Sequence, residues 1–163
     1  MKKIFIITAI VLAIAGIAAL KRSGSAEESL SLVAGALIDG TKAIVYKSPT
    51  CGCCNNYVSY LKKQGFEVEA RNVSDQELQD VKSKHNIPNN LGSCHTTVIG
   101  DYAIEGHIPV QSIAKLLDEK PDVSGIALPG MPEGSPGMGG VKRGTFAVSS
   151  FTQSGDVQSF DRP

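Results

Sequence analysis

Three of the chain's four cysteines fall within four residues, Cys51-Gly52-Cys53-Cys54, where the hydrophobic period of the sequence changes. Upstream, Ala43-Ile44-Val45-Tyr46 is a short apolar run of the kind that forms a buried strand, and Ser48-Pro49-Thr50 reads as a turn. Downstream, Tyr57, Val58 and Leu61 recur at helical spacing between Cys53 and Gln64, and Gly65 is placed to end that helix. The cluster therefore sits between the end of a strand and the start of a helix. That position calls for an α/β layout with the cysteines at one end of a sheet.

The rest of the pattern agrees. Phe66 to Val73 alternates like a strand, and Ser74-Asp75-Gln76-Glu77 is a capping box opening a helix that carries Leu78 and Val81. A loop with Pro88, Asn89, Asn90 and Gly92 follows. Thr96 to Ile99 and Tyr102 to Glu105 flank Gly100-Asp101 as a hairpin. Pro109 suits the first turn of a helix whose apolar face is Ile113, Leu116 and Leu117. The order β-α-β-α-β-β-α implies a βαβ unit followed by an antiparallel pair. We expect an α/β fold, a thioredoxin-like mixed sheet with flanking helices, over residues 42–122. Beyond Asp122, Gly125 to Gly144 is rich in Gly, Pro and Met, and regular structure is not expected there. Thr145 to Phe151 and Asp156 to Phe160 are expected to form a last pair of strands, so that 123–163 packs on the same domain.

At the N-terminus, Lys2 and Lys3 precede an apolar run from Ile4 to Leu20. The first 26 residues read as a signal peptide or membrane anchor, with 27–41 as a linker. Gly24-Ser25-Ala26 offers a small-residue cleavage site, whereas Lys21-Arg22 suits a retained anchor. Either way the remainder is expected in the periplasm, or anchored to the inner membrane facing it. Without the targeting segment, acidic residues outnumber basic ones by four. That balance excludes a nucleic-acid role and suits mild attraction of cations.

A helix N-terminus carries unpaired N–H groups and the positive end of the helix dipole, and both stabilise thiolate. Thiolate attacks disulfides, and thiolate also binds soft metals, so two functions compete. Cys51 and Cys54 have the C-x-x-C spacing of a thiol–disulfide oxidoreductase. Against that reading, Cys53 adds a third thiol. Cys94-His95-Thr96-Thr97 also lacks the proline that redox proteins of this fold place opposite their dithiol. Alternatively, Cys51, Cys53, Cys54 and Cys94 form a soft-ligand cluster suited to Cu(I), zinc or iron–sulfur. Structural zinc usually joins two separated hooks, and only one is present. Adjacent Cys53 and Cys54 are awkward ligands for one tetrahedral ion but can bridge several, as in a multinuclear Cu(I) cluster. Two plain disulfides are the remaining alternative.

His95 adjoins Cys94 and is a candidate ligand or a tuning group. His107 is a candidate ligand or a solvated turn residue, while His85, at a helix end, reads as structural. Met131 and Met138 offer soft thioethers in the Gly-Pro loop, or simply fill gaps beneath it.

Tyr46 to Cys54, Ser93 to Thr96, Glu105 to Pro109, and Pro129-Gly130-Met131-Pro132 through Gly137-Met138 together resemble the CopG-like family. These are exported cysteine-rich proteins associated with bacterial copper resistance. The resemblance runs from about Lys42 to Phe151 and departs at Tyr57, where tryptophan is common in the family. It implies a thioredoxin-like fold and a copper site held by Cys51, Cys53, Cys54 and Cys94, with the histidines and methionines as lesser candidates. Storage, delivery to periplasmic copper-handling proteins and redox interconversion of copper ions are all open roles, with the membrane involved only through the N-terminal segment.

Overall fold

β1 (Lys42–Lys47) alternates between outward and buried positions, sending Ala43 and Val45 into the core. After the turn, α1 (Gly52–Lys63) buries Cys54, Tyr57, Val58 and Leu61, one helical stripe facing the sheet. β2 (Glu67–Asn72) lies parallel to β1, with Val45 opposite Ala70. The capping box at Ser74 and Glu77 forms as expected and starts α2 (Asp75–Lys84). A short 3-10 turn at Asn89–Leu91 leads into the hairpin of β3 (His95–Ile99) and β4 (Tyr102–Gly106). α3 (Val110–Glu119) follows, burying Ile113, Ala114 and Leu116.

One element departs from expectation. Residues Gly125–Leu128, assigned to an irregular loop, form β5, which pairs in parallel with β4 and is buried along its whole length. Gly-Ile-Ala-Leu has no polar alternation because neighbours cover both faces. Gly125 is required there, since a Cβ would collide with the Ala103 carbonyl and the Phe151 ring. α3 is therefore the crossover of a second βαβ unit. β6 (Val148–Phe151) and β7 (Val157–Asp161) complete the sheet. The strand order is β2-β1-β3-β4-β5-β6-β7, so the thioredoxin-like core continues unbroken into the C-terminal strands.

This computed structural model describes residues 35–163, and the apolar run from Ile4 to Leu20 lies outside the described residues. Among the described residues no helix is long and apolar enough to cross a membrane.

The register decides where the chemistry lies. Lys47, the last residue of β1, pairs with His95, the first of β3. Thr96 pairs with Glu105, so β4 ends beside the start of β3, and Gly106 pairs with Leu128 at the end of β5. The segments leaving β1, entering β3, leaving β4 and leaving β5 thus emerge at one end of the sheet.

Candidate metal and thiol centre

Cys51 is the N-cap of α1, and its sulfur accepts a hydrogen bond from the Cys54 amide at 3.3 Å. Cys51 and Cys54 are joined by a disulfide, leaving Cys53 and Cys94 as thiols. Cys53 Sγ lies 3.5 Å from Cys51 Sγ and 3.9 Å from Cys94 Sγ, and Cys94 Sγ lies 3.5 Å from Cys54 Sγ. All four sulfurs fall within 4.8 Å of one another. Adjacent Cys53 and Cys54 both reach Cys94, because it comes in across the N-terminus of α1.

The histidines converge on the same atom. Cys94 Sγ is 3.4 Å from His95 Nδ1 and 3.3 Å from His107 Nε2. Both rings are fully buried, so the solvated-turn reading of His107 does not hold. The rings meet edge to face at 4.7 Å between centroids, and His95 packs 4.6 Å from the ring of Tyr57. The Tyr57 hydroxyl donates to the Ile108 carbonyl at 2.9 Å. His107 Nδ1 lies 2.7 Å from the Pro136 carbonyl, so Nδ1 carries the ring proton and Nε2 faces Cys94 bare. Burial holds His107 below its ordinary pKa and takes His95 down to about 3, with His107 and Lys82 adding repulsion there. Both imidazoles are therefore neutral at physiological pH, the state that binds metal. Burial, followed by neighbouring Cys53, pushes the Cys94 thiol up to about 11.

The Gly-Pro-Met loop closes over this end. A Cβ on Gly137 would stand 2.7 Å from the Tyr57 amide nitrogen and 2.9 Å from the Cys53 carbonyl, so only glycine permits this approach to α1. Met138, the next residue, is half-buried, whereas Met131 is exposed. His85 caps the end of α2, and there burial and Lys84 lower its pKa instead of favouring a cation.

Sequence reasoning missed a buried polar knot beneath Cys94. Glu105 is fully buried and paired with buried Lys82 of α2. One carboxylate oxygen also accepts from the Ser93 amide at 2.5 Å, and the other accepts from the Thr96 hydroxyl at 2.6 Å. Lys82 donates to the Ser93 carbonyl at 3.1 Å as well, so both peptide groups flanking Cys94's neighbour are gripped from below. Burial raises the Glu105 pKa, while Lys82, Thr96 and Ser93 pull it back. The available signal was a lysine four residues after Leu78, on the buried stripe of α2.

Residues 43–89 match the glutaredoxin family model, and residues 91–138 match the model described as a protein of unknown function, DUF411. The junction falls between the two cysteine loops. No curated protein matches the chain. Two solved structures, of copper resistance protein copG in a form 1 and a form 2, are each 36% identical to it. Each alignment covers 77% of this chain, and 98% and 99% of theirs, with TM-scores of 0.69 and 0.68.

Proposed function

The chain belongs to the CopG copper resistance family, and on that premise we propose that it holds copper as Cu(I) through Cys51, Cys53, Cys54 and Cys94. The work is done in the periplasm, free or anchored to the inner membrane, and contributes to copper tolerance by sequestration, transfer or redox interconversion. The observation that carries this reading is the convergence of four sulfurs within 4.8 Å from loops 40 residues apart. Thiolate and imidazole donors select soft or borderline ions, and Cu(I) is the softest of the common candidates. His107 and His95 add neutral nitrogens beside Cys94, and Met138 stands next to the covering Gly137.

The protein's own groups set two conditions for loading. The Cys51–Cys54 disulfide withholds two sulfurs, so full occupancy needs two electrons and two protons to restore the thiols. Cys94 holds its proton tightly, so copper itself must displace it. Half-exposed Cys51 and Cys53 then let the ion pass by ligand exchange to a periplasmic copper-handling partner. The N-terminal lysine pair and apolar run support export.

The test is anaerobic Cu(I) titration of the reduced protein against a competing chelator, with metal counted by native mass spectrometry. Cys51→Ser, Cys54→Ser or Cys94→Ser should each weaken binding by more than the roughly 10–100-fold typical of outer-shell partners. More than one ion per chain would establish a bridged cluster. Weak binding, indifferent to those substitutions, would refute the copper assignment.

A second reading has its own support. The Cys51–Cys54 disulfide at a helix N-terminus, together with the glutaredoxin match, favours thiol–disulfide exchange with another protein. Rapid reduction of insulin by the copper-free dithiol form would select it.

A further inference from the structure

Among the described residues, three large apolar side chains are exposed: Val141 at 73%, Val157 at 42% and Met131 at 40%. Val141 stands in an exposed run, Gly139 to Thr145, that forms neither helix nor strand. Gly140 and Gly144 bracket it at φ of 87° and 80°, and a Cβ at Gly139 or Gly144 would meet nothing within 4 Å. The run therefore projects as a tip with glycine corners. Met131 immediately precedes Pro132 and Glu133, which line a cleft together with Val141, so two of the three exposed side chains lie on this side. Lys142 and Arg143 follow Val141, both exposed and neither in an ion pair among the described residues. Lys142 Nζ lies 5.0 Å from the centroid of the Phe146 ring, which keeps that cation at the tip. Glu133 faces the run with its side-chain carbons against Gly140, and the tip stays net positive beside it. Over residues 35–163 acidic side chains outnumber basic ones, 14 to 12, so this cationic tip runs against the charge of the body that carries it.

We propose that the Val141-Lys142-Arg143 tip is a second membrane contact, with Val141 entering an anionic phospholipid surface and Lys142 and Arg143 meeting the lipid phosphates. This rests on the reading of the N-terminal apolar run as a membrane anchor and deepens it. An exposed apolar side chain gains by entering the acyl boundary, and adjacent cations gain from the negative lipid surface within a Debye length. One valine and two cations bind weakly alone. They suffice where the N-terminal run already holds the chain at the bilayer, because the second contact is then intramolecular.

The contact bears on the cysteine centre. Val141 lies four residues beyond Gly137, which packs against the Cys53 carbonyl. Four residues of chain span at most roughly 14 Å. Lipid contact at the tip therefore brings the covering loop, and with it half-exposed Cys53, close to the bilayer. The partner that fits such a placement is an integral-membrane protein presenting soft ligands at the bilayer surface.

The test exploits the absence of tryptophan from the chain. Full-length Val141→Trp is reconstituted in phosphatidylcholine nanodiscs with and without phosphatidylglycerol, and its emission is followed with doxyl-labelled lipid as quencher. Val157→Trp serves as the control, since Val157 is exposed on a different strand. With phosphatidylglycerol the Val141→Trp emission should shift to the blue and be quenched. Adding Lys142→Glu and Arg143→Glu should return it to the level of the control. Equal quenching of the two variants would overturn the proposal. A blue shift without lipid that grows with protein concentration would overturn it too, by making a second copy the occupant. Co-elution with the discs reports separately on the N-terminal run. A chain that co-elutes with Val141→Trp unquenched refutes the contact and leaves the anchor standing, and a chain that co-elutes with neither disc refutes both. Copper is absent throughout, so the copper titration stands or falls by itself.

Discussion

The two loops that meet at the end of the sheet are held in opposite ways. The first, Ser48 to Cys54, is fixed by its own neighbours: the Cys51 amide bonds to the Ser48 carbonyl at 3.2 Å, and the Cys54 amide bonds to Cys51 Sγ. The second, leading to Cys94, is fixed from far away in sequence, by Glu105 and by Lys82, itself 23 residues from Glu105. Three sulfurs come from a local device that any helix start could supply. The fourth depends on a buried ion pair that exists only once β3, β4 and α2 have assembled. The centre is therefore as rigid as its long-range half.

That contrast can be broken by substitution. Glu105→Ala removes one member of the buried pair and strands Lys82, at a cost of about 3–5 kcal/mol in urea unfolding. Replacing both partners by Gln and Met should recover much of the loss, because no charge is then left buried. Acid should have the next largest effect, through the imidazoles packed against Cys94. His95 titrates at about 3 when folded against an ordinary 6.5, so below 6.5 the unfolded chain takes up a proton that the folded chain refuses. Stability of the metal-free protein is then complete above about pH 6.5 and falls toward pH 3, by at most about 1.4 kcal/mol per unit from this group. His107 and His85 act in the same direction. Unfolding at pH 7 and pH 5 measures the slope, and His95→Asn should flatten it. The smallest effect belongs to the local loop. Serine is itself a good N-cap, so Cys51→Ser should change the stability of the reduced protein by less than about 0.5 kcal/mol. If Cys51→Ser cost as much as Glu105→Ala, the distinction between the loops would be lost.

The same division explains what could be read from the sequence. β1, α1, α2, the β3–β4 hairpin and α3 follow from period, caps and turns, all of which act over a few residues. The sulfur cluster was legible because strand–loop–helix order alone sends Cys51 and Cys94 to one sheet end. β5 was not legible: Gly125 opens it and Pro129-Gly130 closes it, and three apolar residues between such breakers look like loop unless the partners on both sides are known. Lys82 and Glu105 were passed over because charged side chains read as surface, and their burial is offset only by each other and by the Ser93 and Thr96 groups. The C-x-x-C spacing marks Cys51 as the partner of Cys54 only under the thiol–disulfide reading, and the structure forms that pair.

β5 bears on how the protein can be divided. It lies between β4 and β6 in the sheet, so a fragment ending at Asp122 would retain every cysteine and histidine yet bare the β4 edge, where Ala103 to Gly106 are apolar or depend on burial. Such an edge invites pairing with other chains. The cysteine centre is therefore not a transplantable cassette. Grafting it onto another thioredoxin-like scaffold would require importing the strand that shields it, and the loop ending in Gly137 would have to travel with that strand.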